Sequence, residues 1–137
     1  MNKIAIVYWS GTGNTEAMAK AVLKGAGVGA QLFSVSDFDT AKLDAFDAFA
    51  LGCPAMGSES LEDSEFEPFF EAIKGKLVGK KVALFGSYGW GDGEWMRSWE
   101  ESCADAGITL AAESVICNDV PDAEALEACG ALGSALV

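Results

Sequence analysis

Histidine is absent from these 137 residues, which removes both the commonest general base and the commonest metal ligand. Positive charge is scarce. Nine Lys and Arg stand against 21 Asp and Glu, for a net charge of −12. A surface this acidic repels nucleic acid and anionic membranes unless it carries a local basic patch, and the nine bases are scattered. A basic protein partner is the better expectation. The four cysteines, Cys53, Cys103, Cys117 and Cys129, include no C-x-x-C spacing, which argues against zinc sites, iron–sulfur loops and thioredoxin-type pairs. Free thiols in a reducing compartment are the plain reading. Long apolar runs are missing too. Ile4 to Trp9 is too short for a signal peptide's apolar region, and no stretch reaches the roughly 18 residues of a membrane span. The expectation is a soluble, cytoplasmic protein.

Half of the residues are apolar, so disorder is excluded as a reading of the whole chain. One domain of this length buries roughly two-thirds of its unfolded surface, enough for a core but with no room for a second substrate or nucleotide domain. Five β-leaning runs recur: Ile4 to Tyr8, Ala30 to Val35, Ala48 to Gly52, Val82 to Gly86 and Ile108 to Ile116. Between them, Thr15 to Lys24 places Ala17, Met18, Ala21 and Val22 at helical spacing. Phe66, Phe69, Phe70, Ile73 and Leu77 repeat the pattern, Trp95 and Trp99 mark a third helix, and Pro121-Asp122 opens a fourth over Ala123 to Leu136. Asp39 to Phe46 has room for a short helix only. The alternation predicts an α/β fold, a doubly wound five-stranded parallel sheet with helices on both faces, as one domain over residues 1–137. Ligands of such sheets sit beyond the carboxyl ends of the strands, where strand order reverses. The loops after the first, third and fourth strands are therefore the ones to inspect.

The first of these reads Ser10-Gly11-Thr12-Gly13-Asn14-Thr15 and opens a helix. Outward-pointing amides and the helix dipole make such a turn an anion site. A P-loop would need Lys after the last glycine, where Asn14 and Thr15 stand. The Rossmann fingerprint would need Gly or Ala where Glu16 stands. No arginine lies near Cys53 to complete a phosphatase loop. What remains is a phosphate held by hydroxyls and amides without a cation, or else an ordinary capped turn. The second loop, Cys53-Pro54-Ala55-Met56-Gly57-Ser58-Glu59, combines a soft apolar side chain, a glycine and a carboxylate, and alone it would also pass for a common turn. The third, Ser87-Tyr88-Gly89-Trp90-Gly91-Asp92-Gly93, sets two aromatics among glycines. Trp90 needs a cover there, either a planar ligand or its own domain.

Together, at these separations in a small acidic chain, the three loops closely resemble the short-chain flavodoxins of anaerobic bacteria. The resemblance runs over essentially the whole chain and includes Gly93-Glu94-Trp95-Met96. It implies noncovalently bound FMN and the sheet order 2-1-3-4-5. It assigns Ser10, Thr12, Asn14 and Thr15, with the amides of Gly11 and Gly13, to the FMN phosphate. Trp90 would stack on one flavin face and Met56 would cover the other. Glu59 would accept from the flavin N3–H, and the backbone around Gly57 and Gly89 would meet N5, O4 and O2. Pro54, Ala55, Ser58, Ser87, Tyr88 and Gly91 complete the wall, Tyr88 without a stacking role, and Asn118 lies near the ring in some relatives.

The resemblance further implies a low-potential one-electron carrier, not an enzyme, that shuttles between semiquinone and hydroquinone. In relatives the peptide at the Gly57 position turns over on reduction, which a glycine makes sterically cheap. Partners would be basic-faced reductases and low-potential acceptor enzymes, met by a monomer. Six acids and no base lie between Glu59 and Glu71, and eight acids and no base follow Ser98. An FMN-dependent NAD(P)H or quinone reductase on the same fold is the alternative. A receiver domain is disfavoured because Tyr8-Trp9-Ser10 lacks the acidic pair that would hold magnesium.

Overall fold

The computed structural model describes residues 3–56, 60–89 and 91–137. Its strands are β1 (Ile4–Tyr8), β2 (Ala30–Ser34), β3 (Ala48–Gly52), β4 (Lys81–Tyr88) and β5 (Val115–Asn118). Its α-helices are α1 (Asn14–Ala26), α2 (Phe66–Ile73), α3 (Glu94–Asp105) and α4 (Ala123–Ser134). All strand pairs are parallel, in the order β2-β1-β3-β4-β5. Continuous apolar sequence in β1, β3 and β4 matches burial on both faces of the sheet.

Side-chain alternation sorts each central strand between two cores. Ala5, Val7, Phe49, Leu51, Val82 and Leu84 face α2 and α3, in a layer built from aromatic rings. Phe66 and Phe70 meet the Trp99 indole edge-on at centroid distances of 5.4 and 5.9 Å. Ile4, Ile6, Ala48, Ala50, Ala83 and Phe85 face α1 and α4. There the side chains are small and the helices run close. A Cβ on Gly133 would overlap the Val22 carbonyl oxygen, and one on Gly25 would overlap that of Gly130. The Ser134 hydroxyl donates across the seam to the Gly25 carbonyl at 3.1 Å.

Several boundaries differ from the sequence expectation. The second strand stops at Ser34, because Val35 enters a 3₁₀ turn (Val35–Asp37) whose Asp37 carboxylate accepts from the Ser34 hydroxyl at 3.0 Å. The fourth strand runs on to Tyr88, carrying Ser87 and Tyr88 out of the expected loop. The fifth is the largest correction: 108–116 is not one strand. Leu110 makes an isolated bridge to Val82, the chain then leaves the sheet, and β5 begins only at Val115. Ala111, Ala112 and Glu113 favour strand weakly, and Ser114 is drawn to α3, its hydroxyl donating to Glu100 at 2.7 Å. Finally, the Phe66 helix ends at Ile73 and passes into a 3₁₀ turn (Lys74–Lys76) before Leu77, and the last helix ends at Ser134. The short helix expected over Asp39 to Phe46 is a 3₁₀ helix (Thr40–Ala45), its entry capped by the Asp39 carboxylate, which accepts from the Ala41 amide at 3.0 Å.

β2 and β3 flank β1, so the chain reverses its direction of travel across the sheet between β1 and β3. The carboxyl ends of those two strands mark the switch point where such sheets bind ligands.

Candidate functional site

At the end of β1 the Trp9 amide donates to the Gly52 carbonyl at 3.0 Å, prolonging the β1–β3 pairing into the loop. Gly13, with φ +96°, makes the left-handed turn into α1. The Ser10 hydroxyl accepts from the amides of Gly13 (3.0 Å) and Glu16 (3.3 Å), and Thr12 Oγ1 accepts from the Asn14 amide at 3.4 Å. Hydroxyl oxygens thus close on the positive end of a 13-residue helix. Thr15 lies beneath. It is buried, with Oγ1 3.3 Å from the Ser87 hydroxyl and 3.4 Å from the Ser87 amide that donates to it. This pair ties α1 to the end of β4, fixing the first loop against the third.

The second loop is anchored at both ends. The Ala55 amide donates to the Ser87 carbonyl at 3.0 Å, and the Trp95 indole donates to the Cys53 carbonyl at 3.1 Å. Met56 and Ser60 exchange backbone hydrogen bonds of 2.8 and 3.0 Å in an isolated antiparallel bridge. Gly57, Ser58 and Glu59 lie outside the described residues, as does Trp90. Met56 itself is 37% exposed at the cleft mouth.

Below this loop sits a buried carboxylate. Glu62 accepts from the amides of Ser64 (3.0 Å), Glu65 (2.8 Å) and Phe66 (2.9 Å) and from the Ser64 hydroxyl, which satisfies the open N-terminus of α2. Desolvation alone would raise its pKa, but the donors outweigh it and hold it below the usual carboxylate range. Its amide donates to Cys53 Sγ at 3.3 Å. Burial pushes the Cys53 thiol up to about 12, against the opposing pull of the Glu62 amide. Cys53 is therefore a packing and hydrogen-bonding group.

In the third loop, Ser87 is buried at the strand end and the Tyr88 ring packs on Trp95 at a centroid distance of 5.5 Å. Gly91 and Gly93 take φ of +87° and +91° on the way into α3. β5 closes the wall: the Asn118 side-chain amide reaches the Tyr88 carbonyl at 3.3 Å, and the Asp119 amide reaches the same oxygen at 2.8 Å. The three loops bound a cleft of about 200 Å³, with Trp9, Thr12, Asn14, Ala55, Met56 and Gly89 among its lining. Of the residues named from sequence, Gly11, Thr12, Asn14, Pro54, Ala55, Met56, Ser87, Tyr88 and Gly89 share this cleft, and Ser10 and Gly13 line the adjoining groove beside β2. Gly91 lies toward α3 and Asn118 braces the rim.

Two wall residues escaped the sequence reading. Trp9 covers the first loop, so that a Cβ on Gly11 would meet its ring at 3.0 Å, and its indole donates to Glu65 at 3.2 Å. An aromatic at a strand end before a glycine loop was the available signal. Asp119, at φ +57°, also lines the cleft, and only its place next to Asn118 hinted at it.

This donor set fits a phosphate held by hydroxyls and amides at a helix N-terminus, beside apolar walls suited to a flat ring, with no base among the described lining residues. A doubly wound parallel sheet with such a cleft at its switch point defines the flavodoxin-like class of mononucleotide-binding proteins. The flavodoxin family model matches residues 6–133. The chain is 51% identical to flavodoxin of Megasphaera elsdenii over 122 residues, 87% of this chain and 88% of that one, and 52% identical to flavodoxin of Clostridium beijerinckii over 120 residues, 85% and 87%. Its fold superposes on the solution structure of two-electron reduced Megasphaera elsdenii flavodoxin with a TM-score of 0.86 over 97% of each chain, at 48% identity. An archaeal flavodoxin follows at 0.83 and 28%, over 98% of this chain and 95% of that one. The chain belongs to the flavodoxin family: it is an electron-transfer protein rather than an enzyme, and its cofactor is FMN.

Proposed function

We propose that this protein, acting as one FMN-binding unit over residues 1–137, carries single electrons at low potential between its one-electron- and two-electron-reduced forms in the cytoplasm. FMN supplies the redox chemistry, and the protein sets its potential through packing, hydrogen bonds and field. The observation that carries the reading is the meeting of the α1 N-terminus and three strand-end loops at one cleft. Ser10, Thr12, Asn14 and Thr15, with the amides of Gly11 and Gly13, hold the phosphate. Pro54, Ala55, Met56, Ser87, Tyr88 and Gly91 shape the ring slot, with Trp90 on one face and Met56 on the other. Gly57, Ser58 and Glu59, with Gly89, present backbone and carboxylate to the ring's polar edge, and Asn118 braces the rim.

Negative charge near the site works against the last electron. Asp119 borders the cleft and Glu65 the adjoining groove, and the nearby Arg97 is already paired with Asp92 at 3.0 Å. Each ~1.4 kcal/mol of added penalty lowers a one-electron potential by about 59 mV. The same field favours basic-faced reductases and acceptor enzymes as partners of the monomer. No observation favours the reductase alternative, which needs a second substrate site.

Anaerobic reductive titration tests the reading. The holoprotein is expected to take up two electrons in separate one-electron waves, with a long-wavelength absorption band at the half-way point and the second wave well below that of free FMN. A single two-electron wave, or failure of the purified protein to quench FMN fluorescence, refutes it. Trp90→Ala is expected to weaken FMN binding and move both potentials.

A further inference from the structure

β5 is an edge strand of four residues, paired among the described residues with β4 on one side only. Edge strands in soluble proteins are commonly guarded by charge, proline or a covering element, yet Val115–Asn118 contains no charged residue and no proline. Alongside it, between the strand and α4, run two adjoining grooves of about 450 and 380 Å³ that share Val115, Ile116 and Ala128. Val115, Ala128, Ala131 and Leu132 give the first an apolar lining. Beside the strand, Ile116 is 39% exposed, its Cδ1 on the side of Gly93 and α3, and Val120 is 74% exposed. The rim of the grooves is acidic, with Glu113 at one end and Asp122 and Glu124 at the other, and no base occurs anywhere from Ser98 to Val137. The grooves are continuous with the candidate site, because Asn118 lines the second one while its amide holds the Tyr88 carbonyl.

We infer that this groove is a docking surface for an extended, basic segment of a redox partner, one that alternates apolar and Lys or Arg residues and adds to the free edge of β5. Chemistry selects that occupant. An unpaired strand edge is completed by main-chain hydrogen bonds from another extended chain, with alternate side chains supplying specificity. Apolar side chains of such a segment cover Ile116 and Val120, while the intervening bases meet Glu113, Asp122 and Glu124. An acidic or neutral segment would leave that rim uncompensated. The break in the sheet at 111–114 sets the start of the track, and Asp119, in its left-handed turn at the cleft wall, sets its end. A segment seated along 112–120 therefore delivers its owner's body to the flavin edge. The inference rests on the electron-carrier reading and adds where the partner grips.

The test uses ¹⁵N-labelled holoprotein and, as probe, a capped synthetic peptide of alternating valine and lysine with the length of the 112–120 track. Saturable amide shifts are expected over 112–120 and along the α4 face from Glu124 to Ala131. They should be lost at about 1 M salt, where the Debye length is about 3 Å, and a serine-for-valine control peptide should bind at least tenfold more weakly. Ala128→Arg fills the groove with a base from an exposed helix position and should weaken binding at least tenfold. FMN fluorescence quenching and both reduction waves should match the parent. Shifts confined to the acids between 62 and 71, shifts indifferent to Ala128→Arg, or no saturation would each overturn the docking inference. Loss of flavin binding or of separate one-electron waves in the parent would instead overturn the carrier reading.

Discussion

Glu62 is a carboxylate taken out of water and surrounded by donors, and its energetics can be followed with pH. Its folded pKa is depressed, so it stabilises the fold above the unfolded carboxyl value of about 4.3, and that contribution is lost as pH falls through the folded pKa. Glu62→Gln keeps the shape and removes the charge. It is expected to cost about 1 kcal/mol at pH 7, the scale of a lost helix cap, and the difference from the parent should shrink in acid. Urea melts at pH 7 and below pH 4 check this, and a pH-independent difference would contradict it. Sequence could not show this residue's role. Glu62 stands in a run of six acids whose plain reading is a solvated face, and only the fold of the loop above α2 separates it from the exposed Asp63 and Glu67. The opposite holds for Ser10 and Gly13, whose roles follow from local chain chemistry at a strand-to-helix turn.

Among the elements, α1 and α4 depend on the absence of side chains where they cross. Gly133→Ala introduces a Cβ that overlaps the Val22 carbonyl oxygen and comes within 2.8 Å of the Ala26 amide nitrogen, both backbone atoms that cannot rotate aside. The helices must part, at a cost of about 1–3 kcal/mol. A lower urea midpoint at unchanged m-value is the expected result. Helices were legible because their apolar residues recur at a period no strand shares, and β1, β3 and β4 because they are buried on both faces. The expected fifth strand is too long for a physical reason: Ile108 is buried and Leu110 half-buried, the latter bridged to Val82, without the chain continuing as a strand, and composition does not distinguish those two ways of being covered.

For the whole molecule, most of the scarce bases turn out to be sorted. Lys3, Lys24, Lys42, Lys74, Lys76, Lys80 and Lys81 lie at strand beginnings, helix ends or the turns joining them, all at the amino end of the parallel sheet, while Lys20 stands midway along α1. Of the bases, Arg97 alone stands in a first helical turn at the opposite, site-bearing end, and Asp92 pairs with it. Net charge is read directly from composition, whereas this polarity exists only once the strands are parallel. Electron transfer to a basic acceptor protein should therefore slow by about tenfold or more as the Debye length contracts from roughly 30 Å at 0.01 M salt to roughly 8 Å at 0.15 M. Replacing Lys74, Lys76 and Lys80 by Glu raises net negative charge while erasing the polarity. Stopped-flow rates at low salt should then rise less than net charge alone demands, and a full rise would show that orientation plays no part. The α1–α4 seam has a consequence of another kind. Ser134 and Gly25, joined across it, are 109 residues apart in the chain. At roughly 5–20 residues per second, α1 emerges from the ribosome on the order of 5–20 s before α4. Through that interval Met18 and Val22 lack their covering helix, and the nascent chain must be shielded until its last helix arrives.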